Sequence, residues 1–191
     1  MSQRRQVVAR AAVAVVLAEA GAAYYAAPTA HADVGGQGTD AYEWAFYRSS
    51  DQVNGLLALF EHSTFSFIYN ATAGSGTAGY DECKKSTASS PPGGPIPAGS
   101  YDVTAHYLNH TGTVTGPAIQ LSDHLCYDGK TLRTELFMHS SYPWSSSHYH
   151  SEGCIKVSNT GGPSPASGDV MAMYNVHNFV GYPNHAGVGD M

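Results

Sequence analysis

Apolar and polar positions alternate along residues 42–47, with Tyr42, Trp44 and Phe46 set against Glu43, Ala45 and Tyr47. A period of two puts each set on its own face of a strand. Apolar runs at 56–60 and 65–72 flank Glu61-His62-Ser63 and predict a hairpin, with a short helix as the alternative for the first. Residues 73–94 then turn polar and glycine-rich, ending in Ser89-Ser90-Pro91-Pro92-Gly93-Gly94, which predicts a long surface loop carrying Cys83. Gly94-Pro95-Ile96-Pro97-Ala98-Gly99 leads into residues 100–107, where Tyr101, Val103, Ala105 and Tyr107 share one face, so a turn feeds a strand. Two further strands are expected at 118–122 and 132–139, separated by an Asp128-Gly129 turn. Residues 140–153 are rich in Ser, His and aromatics without a helical period, and 155–157 form a short apolar run. One helix is expected at 169–179, capped by Ser167, with Val170, Met173 and Tyr174 on one face. The tail from 185 to 191 has no apolar run from which to expect a closing strand. The whole predicts a mainly β domain over residues 41–191, behind a loose stretch at 33–40.

At 191 residues the chain can bury one sizeable core, and charged residues make up only 13% of it. Residues 1–32 read as an export signal. Arg4, Arg5 and Arg10 supply a positive start, residues 11–17 (AAVAVVL) are apolar, and Ala30-His31-Ala32 offers a cleavage site before Asp33. The apolar run is too short to span a bilayer, so no stable membrane span is expected after cleavage. Arg4-Arg5 also fits a twin-arginine signal, although Gln3 before the pair favours general secretion. A secreted or cell-envelope location follows. Removing the leader leaves fourteen acids and six bases in residues 33–191, a net charge of −8 with His neutral. That charge argues against nucleic acid or anionic lipid as the main partner.

The chemistry converges on residues 136–158. A cysteine nucleophile needs a base or cation beside it to raise its thiolate fraction. His139 stands at a strand end, and the loop after it can return Cys154 to it. Gly153 permits close backbone approach to a substrate carbonyl, and amides there can hold a developing oxyanion. The order His before Cys is the reverse of papain-like hydrolases. Trp144, Tyr142 and Tyr127 are candidates for substrate contact or for simple packing. His148-x-His150 offers an alternative, a zinc hydrolase, since residues two apart on a strand point the same way. No H-E-x-x-H motif accompanies the pair, and neither a metal nor another cofactor is expected.

His139-Ser140, Pro143-Trp144 and Ser151-x-Gly153-Cys154-Ile155 together resemble the catalytic signature of the L,D-transpeptidase (YkuD-type) domain. Gly94-Pro95-Ile96-Pro97-Ala98-Gly99-Ser100-Tyr101 is similar to the same family's P-x-P-x-G-x-[FY] turn, and its Gly-Pro-Ile-Pro form resembles the related peptidoglycan-cleaving effector branch. The likeness covers roughly residues 41–180. It implies a β-sandwich or barrel with one short helix after the cysteine. Cys154 is then the nucleophile, His139 the general base, and Ser140 orients the His139 ring through its backbone carbonyl. Amides near Gly153 and Cys154 form the oxyanion site, and Ser151, Trp144 and Tyr127 face the substrate. The implied substrates are peptidoglycan stem peptides, cut between diaminopimelate and D-alanine through an acyl-enzyme that an amine or water resolves. Glu152 stands where the family commonly has His, and Lys156 where it commonly has Arg or Asn. A carboxylate beside a thiolate opposes its ionisation, so Glu152 also fits a wall-binding protein without turnover. With Cys154 free, Cys83 and Cys126 remain for a disulfide, the other possibility being three reduced thiols.

Overall fold

The computed structural model describes residues 32–33, 39–49, 54–86, 93–141, 151–158, 164 and 168–191. The 42–47 alternation lies in β2 (Thr39–Arg48), and the two apolar runs form the hairpin of β3 (Asn54–Glu61) and β4 (Ser66–Ser75). The Pro-Ile-Pro turn feeds β5 (Gly99–His110), which returns as β6 (Gly116–Leu121). Then come the short β7 (His124–Leu125) and β8 (Leu132–Arg133), followed by β9 (Phe137–Ser140), β10 (Ile155–Val157), α1 (Gly168–Phe179) and β11 (Pro183–Asp190). A two-residue β1 (Ala32–Asp33) precedes them all, pairing with Tyr107 and His106 of β5. The expected leader boundary after Ala32 falls inside it, while residues 1–31 and the Ser167 cap lie outside the described residues.

The large sheet runs β1-β5-β11-β2-β3-β4-β10-β9-β6, and β6 pairs back onto β5. Eight strands therefore close into a barrel, with β1 added at the side of β5. Closure leaves these strands few free edges. Most neighbours are antiparallel, whereas β11 with β2 and β10 with β9 are parallel. Inward side chains of the barrel, among them Trp44, Phe46, Leu57, Leu59, Met138 and Ile155, form one core. Val170 and Met173 of α1 belong to that core, so the helix packs against the inward side chains. It is tied there by Trp44 Nε1–H donating to His177 Nδ1 (3.3 Å) and by the Tyr69 hydroxyl donating to the Asp169 carbonyl (2.8 Å). No helix among the described residues is long and apolar enough to cross a membrane.

Three sequence expectations need correction. Residues 73–94 are not all surface loop: β4 continues to Ser75, and Gly93-Gly94-Pro95-Ile96-Pro97 is buried. The glycines allow this, since a Cβ on Gly94 would lie 1.8 Å from the Asp81 carbonyl oxygen. Residues 132–139 are not one strand. Glu135 adopts φ 56°, a left-handed conformation that breaks the extended run between β8 and β9. The tail does form a closing strand, β11. Pro183, Ala186 and Val188 are its buried positions, and Gly187 and Gly189 alternate with the last two, so its inward face is small rather than strongly apolar.

Candidate functional site

Cys154 immediately precedes β10, and its placement follows from strand register. Ile155 pairs with Met138 and Lys156 with His139 on the parallel neighbour β9. Ile155, Val157 and Met138 belong to the main core. Alternation therefore turns Cys154 and Lys156, together with Phe137 and His139, to the outer face of the barrel. There Phe137 packs with Val114 and Ala118, and Tyr107 and Cys154 pack against them. A cavity of about 950 Å³ opens over this face. Cys154, Lys156, His139, Glu135, Gln120 and His110 are among its lining residues, and Thr111–Thr115 from the β5–β6 turn form one wall.

The loop before Cys154 is held by a dense set of hydrogen bonds. Ser151 Oγ accepts from the amides of Gly76 (2.8 Å) and Gly153 (3.1 Å) and donates to the Cys154 carbonyl (2.7 Å). Ser75 Oγ donates to the Gly153 carbonyl (3.1 Å) and accepts from the Ile96 amide (2.8 Å). Arg133, 2% exposed, is the residue that sequence reasoning missed. Its guanidinium donates to the carbonyls of Glu82, Pro95 (3.3 Å), Gly94 (3.3 Å) and Glu152 (2.7 Å). One side chain thus joins the Cys83 loop, the Pro-Ile-Pro turn and the loop carrying Cys154. Gly153, at φ 117°, is required by this packing, because a Cβ there would sit 2.0 Å from Nη2 of Arg133.

Both candidate reacting groups are neutral at rest. Burial pushes the Cys154 thiol up to about 11, opposed by a hydrogen bond from the Phe137 amide and by the Lys156 charge. The thiol donates to the carbonyl of Glu135 (3.5 Å), the residue in the left-handed conformation. Burial also drives His139 down to about 3, helped by the Lys156 charge and opposed by a hydrogen bond from its ring to the Ser140 carbonyl. The Lys156 ammonium is itself lowered by burial, with Cys154 and Glu152 opposing the shift. Glu152 extends outward, where its carboxylate accepts from Ser86 Oγ (2.7 Å).

Several expected roles change on this geometry. The Gly153 amide is taken up by Ser151 Oγ, so its expected place in an oxyanion site gives way to a conformational one. Ser151 lines the cavity, but its hydroxyl is committed to the loop rather than to a ligand. Tyr127 does not line the cavity; its exposed ring swings to Asp81, to which its hydroxyl donates. The two cysteines of the expected disulfide are brought together, here as thiols. Cys83 and Cys126 are free thiols that hydrogen-bond to each other, and Cys126 also donates to the Glu82 carbonyl (3.6 Å). Burial first, and then the Cys83 contact, raise Cys126 to about 12. Trp144, Tyr142, His148 and His150 lie outside the described residues. Among the described residues no three His, Cys, Asp or Glu side chains cluster as metal ligands. No family model, curated protein or solved structure matches the chain.

Proposed function

We propose that the chain is an exported cysteine acyltransferase of the L,D-transpeptidase type, acting on peptidoglycan stem peptides through Cys154. The observation that carries this reading is that Cys154, immediately before β10, and His139, on the parallel neighbour β9, share one outward face. Both are turned outward into a cavity large enough for a peptide. The signature residues around them and the export signal support it.

In this reading the Cys154 sulfur attacks the carbonyl between diaminopimelate and D-alanine, and its proton passes to His139. The C–N bond breaks, D-alanine leaves carrying that proton, and the acyl group stays on sulfur. An amine then yields a 3→3 crosslink, whereas water yields a trimmed stem. The Ser140 carbonyl fixes the His139 ring for both transfers.

The test is mass spectrometry of residues 33–191 incubated with tetrapeptide muropeptides beside a Cys154→Ala control. The expected outcome is loss of D-alanine, with dimers or an adduct on Cys154, all absent from the control. Equal inertness of two folded samples would overturn the reading. The neutral resting state of both groups favours a second one, a wall-binding protein that keeps the cavity without turnover. Retention of the inert protein on insoluble peptidoglycan would identify it.

A further inference from the structure

His139 carries no charge at rest, so it cannot be the cation that an ionised Cys154 needs. Lys156 is differently placed. It stands opposite His139 in the strand register and two residues beyond Cys154 on the same outward face. All three line one cavity, and Lys156 is half-buried there.

The other charged and titratable groups around the sulfur have other commitments. The Arg133 guanidinium is spent on backbone carbonyls, the nearest at Glu152. Glu152 carries the wrong sign and is engaged by Ser86. Glu135 meets the sulfur through its carbonyl rather than its carboxylate. His110 has its Nδ1 bonded to the Val114 carbonyl (2.8 Å). Lys85 lines the same cavity from an exposed loop position. Among the described residues Lys156 makes no ion pair, so its charge is left to act on this face.

We propose that Lys156 is a catalytic residue whose ammonium is the counter-charge of the Cys154 thiolate. The S–H bond breaks, the proton moves to the His139 imidazole, and the electron pair left on sulfur faces the Lys156 ammonium, which keeps its own protons. The Phe137 amide adds a hydrogen bond to the same sulfur. The directions of shift agree, since the Lys156 charge lowers both Cys154 and His139. That charge favours the thiolate while making His139 a stronger acid toward the leaving amine. The assignment rests on Cys154 as the nucleophile but not on any particular substrate.

The experiment follows alkylation of Cys154 by iodoacetamide between pH 6 and 10 in the full mature chain. Peptide mapping separates the three cysteines, and protection of buried Cys126 reports that each sample is folded. Lys156→Met should move the Cys154 profile up by about one pH unit and slow alkylation about tenfold on the rising limb. Lys156→Arg, which keeps the charge, should restore it. A Met profile superimposed on wild type, or an Arg variant that behaves like Met, would overturn the proposal. No muropeptide enters this assay. A Lys156 effect in a protein inert toward cell wall would therefore sink the proposed function alone, and an active enzyme with no Lys156 effect would sink this inference alone.

Discussion

Cys154 and His139, the pair proposed from the sequence motif, line one cavity, and burial sets their protonation. An imidazole held down to about 3 is uncharged across the neutral range, and a thiol near 11 is undissociated there. In the proposed reaction His139 would therefore contribute to proton transfer rather than to holding a standing thiolate. His139→Gln should leave the pH profile of Cys154 alkylation within a few tenths of a unit of wild type. It should also lower acyl transfer by roughly 10²–10⁴-fold, the usual worth of a general base. If alkylation instead moves upward by more than a unit, His139 is an imidazolium in the resting protein. That Cys154, His139 and Ser140 would lie near one another was legible, because short spacings tie them to β9 and to the start of β10, and all three line one cavity. Ser151 and Gly153 were legible as residues but not as roles, because the loop's own hydrogen bonds claim the Ser151 hydroxyl and the Gly153 amide.

Elements defined by their own side-chain period were readable in advance: β2, the β3–β4 hairpin, β5 and α1 all follow from alternation or a helical stripe. What stayed hidden depends on distant partners. Beyond Pro183, β11 buries just Ala186 and Val188, set between glycines, and its place is fixed by pairing with β2 and β5. Arg133 follows a turn in a polar sequence, where an arginine is ordinarily a solvated residue. Only the fold shows that four carbonyls from three segments converge on its guanidinium. Arg133→Met should lower stability by about 2–4 kcal/mol, because it leaves four backbone carbonyls without their donor, those of Gly94 and Pro95 in buried contacts. Urea denaturation measures that loss. Hydrogen exchange should show faster opening at 93–97 and 151–158 while β2 and β3 stay protected. Unchanged exchange at the Cys154 loop would mean that the serine contacts hold it without the arginine.

At the scale of the whole molecule, two of the three histidines buried among the described residues are held in their neutral form on opposite sides of the barrel wall. His139 lies on the outer face, and His177 on α1 is fully buried against Trp44, His106 and Tyr182. Burial is the largest cause of the shift in both and holds each at about 3, against an ordinary value of 6.5. The unfolded chain takes up these protons near 6.5 and the folded one only near 3. Their contribution to stability is thus fully present above pH 6.5 and is lost as the pH falls through that window. Each costs about 1.4 kcal/mol per pH unit below 6.5, so the pair should weaken the fold by roughly 4 kcal/mol at pH 5, as an upper bound. The lowered carboxylates Asp81 and Asp128 act only below 3.8, outside this range. Urea midpoints should be nearly level from pH 7.5 to 6.5 and then drop steeply toward 5. A midpoint that holds or rises over that lower interval would show that the two imidazoles can charge without opening the barrel, and the site at His139 would then be wetter than its packing implies.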